Sequence, residues 1–286
     1  MSHSIARSPW QKAWLLLMRN PLTVAAIILL ALLVFACCIG AAISPYGPND
    51  QNLELRATAP SMSHWLGTDP LGRDLATRIL HGGRISMLVG ILATAVASVI
   101  GVAYGLIAGL ASKRTDAAMM RLVDVLYAFP FITFVIILVV IFGREFWLIF
   151  VAIGAVEWLT MARVVRGQVL ALKNLEFVQA ARAAGAGFWH ILFKHMLPNV
   201  MGPVIIYASL TIPGVMMLEA TLSFLGLGIQ PPDASWGVLI SEGAASMAVY
   251  PWMLIGPSVF FSATLLALNL IGDALRDALD PKSIQD

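Results

Sequence analysis

Three acidic residues, Asp124, Glu157 and Glu219, lie inside long apolar stretches of this sequence. Ionisable groups at such positions are costly, so they usually pair with another charge, face a water-filled pathway or carry protons. Asp124 follows Arg121 by three residues, a spacing that brings opposite charges together on one helix face. Glu157 and Glu219 have no such neighbour in the sequence. We therefore treat the three acids as candidates for a translocation pathway or a subunit interface, with a proton relay as a further alternative.

No catalytic or metal-binding pattern accompanies these acids. The adjacent cysteines Cys37 and Cys38 lie in an apolar run, where free cysteine behaves as a small buried residue. Asp273, Asp277 and Asp280 share one helix face, but an arginine stands among them, which favours surface polar contacts over a metal site. No lysine follows a glycine, so the phosphate-binding loop of ATPases is absent. The sequence thus predicts a protein that is not an enzyme and holds no metal or cofactor of its own.

The composition is that of an integral membrane protein. Of the 286 residues, 59% are hydrophobic and only 12% are charged, against about 25% in soluble domains. The net charge of +2 gives no reason to expect a nucleic-acid partner. A bilayer core of about 30 Å needs roughly 20 apolar residues per helix. We predict an all-α fold of six transmembrane helices at 22–43, 85–111, 122–142, 146–162, 200–224 and 251–271.

The connecting segments differ in length and polarity. Residues 44–83 are polar and rich in Pro and Gly, and Asp69 followed by Pro70 predicts a short helix there that ends near His81. This helix is too charged to span a bilayer. Residues 112–121 are predicted to form a charged loop between two spans.

Glycines and turn residues mark two further features. Gly101, Gly105 and Gly109 recur every four residues, so one helix face allows close approach of another helix. Residues 225–250 are predicted to form a turn-rich outer loop that caps the pathway. We divide the chain into an N-terminal tail, first span and external segment (1–83), a five-helix core (84–275) and a cytoplasmic tail (276–286).

The basic residues set the orientation. With six spans both termini lie on one side, and cytoplasmic loops carry the excess of Lys and Arg. If that side is the cytoplasm, thirteen of the 18 basic residues lie inside and five lie outside, the latter being Arg56, Arg73, Arg78, Arg84 and Arg144. We therefore expect a multi-pass membrane protein with both termini in the cytoplasm.

A polar segment at 168–198 interrupts the apolar stretches and falls on the cytoplasmic side. Asn174 is predicted to cap a helix with Glu176 in its first turn, and Gly185 to end it. A second short helix, at about 187–195, is predicted to lead back to the membrane. Every third residue along one face of the first helix is apolar, namely Leu175, Val178, Ala181 and Ala184. The alternative is an amphipathic loop that lies on the lipid headgroups.

The spacing within this segment resembles the EAA motif, E-A-A-x3-G-x9-I-x-L-P, of the membrane subunits of ABC importers. In that family the segment forms a coupling helix that docks on the ATPase subunit. Gln179 stands where the family usually has Glu, and His195 where it has Ile. The resemblance implies an ATPase-coupling role for Glu176, Gln179, Ala180, Ala181, Arg182, Gly185, His195, Leu197 and Pro198.

Segments 64–86, 223–240 and 269–282 resemble the C-type permease of the peptide-importer branch, and 239–254 is similar to its oligopeptide members. This resemblance implies the MetI-like fold of type I ABC importers. It also implies a homologous B-type permease, two cytoplasmic ATPase subunits that hold ATP and Mg²⁺, an external binding protein and a peptide substrate. The alternatives are an importer of dipeptides, nickel chelates or glutathione, and an ion-coupled secondary transporter or channel that acts alone.

Overall fold

The computed structural model describes residues 9–143 and 146–279, and these are helical apart from their connections. The predicted positions of Arg7, Arg144, Asp280 and Lys282 lie outside the described residues. An isolated bridge between Thr68 and Asp74 is the one extended pairing within those ranges. In chain order the helices are α1 (Pro9–Arg19), α2 (Pro21–Phe35), α3 (Ala41–Ile43), α4 (Leu75–Leu110), α5 (Lys113–Tyr127), α6 (Phe131–Phe142), α7 (Phe146–Leu172), α8 (Glu176–Ala183), α9 (Phe188–His190), α10 (Leu197–Phe224), α11 (Trp236–Ser246) and α12 (Trp252–Leu279).

Five helices in the described part of the chain are long and apolar enough to cross a membrane. They are Pro21–Gly40, Leu75–Leu110, Trp147–Leu172, Phe188–Phe224 and Trp252–Leu279. A sixth crossing results if α5 and α6, which meet at an angle of 80°, count as one broken span. The predicted all-α class is therefore confirmed, the predicted six spans are reached when α5 and α6 count as one span, and several predicted boundaries are wrong.

The prediction of a separate short helix from Asp69 to His81 is wrong. The helix begins at Leu75, where the Asp74 carboxylate accepts from the Thr77 amide at 2.8 Å, and it continues as α4 without a break. Gly82 and Gly83 do not end it because both are packed against other elements. A Cβ on Gly83 would lie 2.5 Å from Cys37 Sγ. Only a glycine permits that approach.

Asp69 stands before α4, and its side chain holds the preceding segment to α4 instead of capping a helix. Its buried carboxylate accepts from the backbone amides of Leu71 and Arg73 at 2.9 and 3.0 Å. The Arg73 and Arg78 side chains each donate to it at 2.6 Å. Arg78 also donates to Glu242 of α11 at 3.1 Å. Because charged groups are buried without loss only when paired and hydrogen-bonded, this network specifies the local fold.

The predicted charged loop at 112–121 is also wrong, and the predicted span at 122–142 is bent by 80° between α5 and α6. Ser112 caps α5 by accepting from the Thr115 amide at 3.3 Å, so the charged residues are helical. The chain then turns at 128–130 and resumes as α6 with Pro130 in the capping position. A residue that precedes proline avoids the helical region, which explains the break at this point.

Residues 9–88 and 216–279 form one compact unit. In it α12 packs against α1, α2 and α11. The predicted outer loop 225–250 contains α11, which the sequence did not reveal. The α11 indole of Trp236 is fully buried and donates to the Ile79 carbonyl at 2.8 Å, while its backbone amide donates to Ser86 at 3.0 Å. These bonds attach α11 to α4.

Residues 89–215, apart from 144 and 145, form the second unit. The predicted glycine face of α4 lies against α7, as expected: a Cβ on Gly101 would lie 2.6 Å from Met161, and one on Gly105 2.6 Å from the Ala162 carbonyl. Arg166 of α7 donates two hydrogen bonds to Asp116 of α5, at 2.6 and 2.8 Å. These contacts give the second unit a closely packed base from which the polar segment projects.

Candidate functional site

The polar segment is shorter than the predicted range 168–198. Helix α7 runs on to Leu172, and the next long helix begins at Phe188. The residues outside the long helices are therefore 173–187, and α8 lies in the middle of them. Lys173 donates from Nζ to the Gly109 carbonyl at 3.0 Å, which attaches the start of the segment to the end of α4. This bond satisfies a carbonyl of the last helical turn.

The predicted cap at Asn174 is wrong. The capping position is occupied by Leu175, which has no side-chain hydrogen bond to offer, and α8 begins at Glu176. The side-chain amide of Gln179 donates to the Asn174 carbonyl at 3.1 Å. A glutamate cannot donate in this way, so the Gln179 that departs from the EAA pattern has a local structural role. The Glu176 carboxylate lies in the first turn, where the helix dipole favours a negative charge.

The prediction that Gly185 ends α8 is confirmed. Gly185 has a φ of +83°, which L-residues with a Cβ rarely adopt. The Ala186 amide donates to the Ala181 carbonyl at 3.0 Å and the Gly185 amide to the Arg182 carbonyl at 2.9 Å. This pair of bonds is the Schellman motif, which satisfies the last carbonyls of a helix and turns the chain sharply.

One side chain fastens α8 to the rest of the second unit. Val178 is fully buried and packs in a cluster with residues of three long helices, Leu106 of α4, Val169 of α7 and Met196 before α10 among them. Of the predicted apolar face, Leu175 and Ala184 are exposed and Ala181 is half-buried. The apolar face was therefore predicted too wide, because i, i+3 spacing alone does not tell which side chains meet a neighbour.

The opposite side of α8 is open. Glu176, Gln179, Ala180 and Ala183 are exposed and recur at the spacing of one helix face, and Arg182 is exposed beside them. Two of these positions carry only a methyl group. A partner can therefore approach the α8 backbone closely at its centre, with polar groups at the edges. This arrangement is suited to docking and offers no group for covalent chemistry.

The prediction of a separate second short helix at about 187–195 is wrong. From Phe188 the chain forms one helix to Phe224, so that His195, Leu197 and Pro198 lie within it. Residues Ile191–Met196 are π-helical. A π-helical turn is wider than an α-helical one, which relieves the clash of a proline ring with the preceding turn. The Asn199 side chain donates to the His195 carbonyl at 2.6 Å in this region.

His195 is half-buried and lies beside α8. Its ring centroid is 6.0 Å from that of Phe177 and 5.7 Å from that of His190. The structure therefore brings α8 and His195 together, although sixteen residues separate His195 from Gln179 along the chain. Leu197 is half-buried next to the Val178 cluster, whereas Pro198 is exposed.

Asp124 and Glu157 belong to the second unit as well. Asp124 does not pair with Arg121 as predicted; its carboxylate accepts from Arg163 of α7 at 2.8 Å. The sequence reasoning missed Arg163, although an arginine inside an apolar helix is itself a signal. Glu157 is half-buried on α7, near the hydroxyl of Tyr207 on α10.

Glu219 belongs to the first unit and is fully buried. Its Oε1 accepts from Ser223 and from Ser235, each at 2.6 Å, while Oε2 has no hydrogen-bond partner. Ser235 also caps α11 by accepting from the Val238 amide at 3.2 Å. The sequence reasoning found no partner for Glu219, but Ser223 lies one helical turn away and was the available signal. Glu219 thereby ties the end of α10 to the start of α11.

Metal coordination has no support among the described residues, where no group of three or more His, Cys, Asp or Glu side chains is placed to hold an ion. The chemistry available at α8 is recognition through a shaped, partly charged surface. The chemistry available at Asp124, Glu157 and Glu219 is hydrogen bonding and charge inside membrane-spanning helices.

Comparison with known proteins agrees with this arrangement. Residues 101–285 match the model of the binding-protein-dependent transport system inner membrane component family. Residues 8–60 match the N-terminal transmembrane domain of oligopeptide transport permease C. The first match includes the second unit from residue 101 onward, with α8, and all of α10 to α12.

Full-length relatives extend the similarity to both units. The chain is 49% identical to an oligopeptide transport system permease protein of Haemophilus influenzae, over 96% of this chain and 89% of the relative. It is 48% identical to an Escherichia coli protein of the same description, over 96% and 92%. A dipeptide transport system permease protein of Bacillus subtilis is 44% identical over 95% and 85%. The chain therefore belongs to the family of binding-protein-dependent transport system inner membrane components, as a multi-pass permease without catalytic chemistry of its own.

Proposed function

We propose that this chain is the C-type permease subunit of an ATP-driven importer of oligopeptides. The observation that carries the proposal is the 49% identity to an oligopeptide permease over 96% of the chain. The match of residues 8–60 to the N-terminal domain of oligopeptide permeases supports it. The importer would comprise this chain, a homologous B-type permease, two cytoplasmic ATPase subunits and an external binding protein in a bacterial inner membrane.

In this proposal energy reaches the chain through α8. ATP and Mg²⁺ are bound by the ATPase subunits, which dock on Glu176, Gln179, Ala180, Arg182 and the neighbouring exposed residues. Gly185 and the buried Val178 hold α8 in one orientation, so a displacement of the ATPases is passed to α7 and α10. The spans then open the pathway to one side of the membrane or to the other. Both termini and α8 lie in the cytoplasm.

A substitution at the centre of the exposed face of α8 tests the docking. We expect Ala180→Leu to abolish ATP-driven uptake, because the added side chain prevents close approach, while Ala180→Ser retains it. Both variants should insert in the membrane to the level of the unmodified protein, since residue 180 is exposed. Normal uptake by Ala180→Leu would overturn the docking role.

The proposed function itself is tested by isolation and reconstitution. Purified in mild detergent, the chain should bring with it a second permease and two ATP-hydrolysing subunits. Proteoliposomes with these subunits and the binding protein should accumulate labelled peptides only with ATP. Competition by peptides of increasing length, glutathione and nickel chelates defines the substrate. Transport by a homo-oligomer of this chain without ATP would instead establish a secondary transporter or channel.

A further inference from the structure

A strip of polar side chains follows one side of the second unit within its membrane-spanning helices. Glu157, Thr160 and Arg163 follow one another at intervals of three residues on α7. Tyr207 of α10 packs against the cluster that contains Met161 of α7, the residue next to Thr160, and its hydroxyl interacts electrostatically with Glu157 and Thr160. The strip therefore joins two long helices, and it continues to α5 through the contact of Arg163 with Asp124.

Arg163 and Asp124 neutralise one another. Their side chains are 2.8 Å apart and remain open, with 37% and 67% of their surfaces exposed. The Arg163 guanidinium also lies over the Tyr127 ring, 4.5 Å from its centroid. The Asp124 carboxylate and the Tyr127 ring therefore already have a cationic partner in Arg163. They are therefore not available as the first contact for another cation.

Glu157 differs, because none of the hydrogen bonds or ion pairs found among the described residues involves it. A carboxylate within a membrane-spanning helix is retained only where water, a ligand or another subunit solvates it. Its charge is also the one on this strip that is not cancelled within the described residues. A cationic group with several hydrogen-bond donors is the ligand that suits this carboxylate and its neighbouring hydroxyls.

We propose that Glu157, with Thr160 and Tyr207, forms a subsite that receives the N-terminal ammonium group of a peptide in transit. The inference rests on the proposed function. An N-terminal ammonium is the cation that every unmodified peptide carries, whatever its side chains, so one acid serves substrates of varied sequence. It donates to the Glu157 carboxylate and to the hydroxyl oxygens of Thr160 and Tyr207. A single carboxylate partly open to water holds such a group weakly enough to release it.

The first test compares one peptide with its N-acetylated form in proteoliposomes that contain the complete importer. Both are supplied at concentrations that saturate the binding protein, as measured by titration of that protein alone. We expect Glu157→Gln to lower the ratio of free to acetylated peptide uptake about tenfold, the effect of losing one hydrogen bond to a charged group. Asp273→Asn, which removes an exposed carboxylate from α12, should leave the ratio unchanged.

The outcomes separate this subsite from the function on which it rests. If the unmodified importer takes up no peptide with ATP, the proposed function fails. If it does, but Glu157→Gln leaves the uptake ratio unchanged or lowers the uptake of both peptides equally, the subsite is refuted and the importer stands.

A second measurement identifies what faces Tyr207 in the working complex. The photoreactive residue p-benzoylphenylalanine is placed at position 207, and the complex is irradiated during turnover with a labelled peptide. Peptide attached to this chain, and competed by excess unlabelled peptide, supports the subsite. Attachment only to the second permease or to lipid would show that the strip is a subunit or bilayer contact, and would overturn the inference.

Discussion

Shortening the buried side chain that fastens α8 should release this helix while leaving the spans intact. Val178 is the one residue of α8 that is fully buried, and its neighbours in the cluster come from α4, α7 and the helix that continues into α10. Val178→Ala removes two methyl groups, at about 0.8 kcal/mol each, and leaves a small cavity. The expected loss is about 2 kcal/mol in the free energy that holds α8 against the second unit.

This loss applies to local release of α8, not to unfolding of the whole protein. A change of 1.4 kcal/mol is tenfold in an equilibrium constant, so the released population should rise roughly 25-fold. Hydrogen exchange of the α8 backbone amides reports this population directly. In the same variant we expect less peptide transported per ATP hydrolysed, because a loosely held α8 transmits less of the displacement of the ATPases.

The control for this experiment is the same kind of substitution at an exposed apolar residue next to α8. Leu175 is 46% exposed at the start of α8, so Leu175→Ala should not change the exchange of the α8 amides appreciably. If the α8 backbone amides of the Val178→Ala variant exchanged hydrogen at the rate of the unmodified protein, the role of Val178 as the anchor would be refuted. If exchange rose but coupling stayed normal, α8 would not be the element that carries the displacement.

Three further predictions concern the supports of the two units. Gly185→Ala should destabilise the end of α8 by about 1 kcal/mol through the positive φ alone, since no atom lies within 4 Å of an added Cβ. Gly185→Asn should destabilise it less, and the rate of proteolysis near α8 measures both changes. Gly105→Leu should separate α4 from α7 and lower the yield of assembled complex, because even a Cβ there would lie 2.6 Å from a backbone carbonyl. Glu219→Ala should lower the melting temperature of the complex by removing the acceptor of two serine hydroxyls, whereas Glu219→Gln keeps an acceptor and should lower it less. Equal melting temperatures for the two Glu219 variants would contradict the role of this acceptor.

Local features were predictable because neighbouring residues decide them. Gly185 ends α8 through its own positive φ, which depends on no distant residue. The spacing of Gly101 and Gly105 already places both on one helix face. The apolar stretches likewise determine the number of spans, since crossing a bilayer depends on length and hydropathy. Helix boundaries were less predictable, because proline and glycine weaken a helix in isolation yet are accommodated when packing compensates.

Partners distant in sequence could not be predicted. Asp124 has an arginine three residues away, but it pairs with Arg163, 39 positions along the chain. Glu219 has a hydroxyl donor one turn away in Ser223, and a second donor, Ser235, that only the packing of α11 brings to it. A local partner was visible in both cases; the tertiary arrangement replaced it at Asp124 and added a second donor at Glu219.

By itself, the amino-acid sequence determined the all-helical membrane class, the presence of α8 and its end at Gly185, because hydropathy, length and local backbone preference act over a few residues. The tertiary structure alone decided that α4 and the long helix Phe188–Phe224 begin well before their apolar stretches, and that Val178 is the anchor of α8. It also decided that Asp124 is paired, whereas Glu157 has no such partner among the described residues. These depend on which helices meet, and a helix surface presents several faces of similar composition. Packing chooses among them through steric fit and the cost of unsatisfied polar groups.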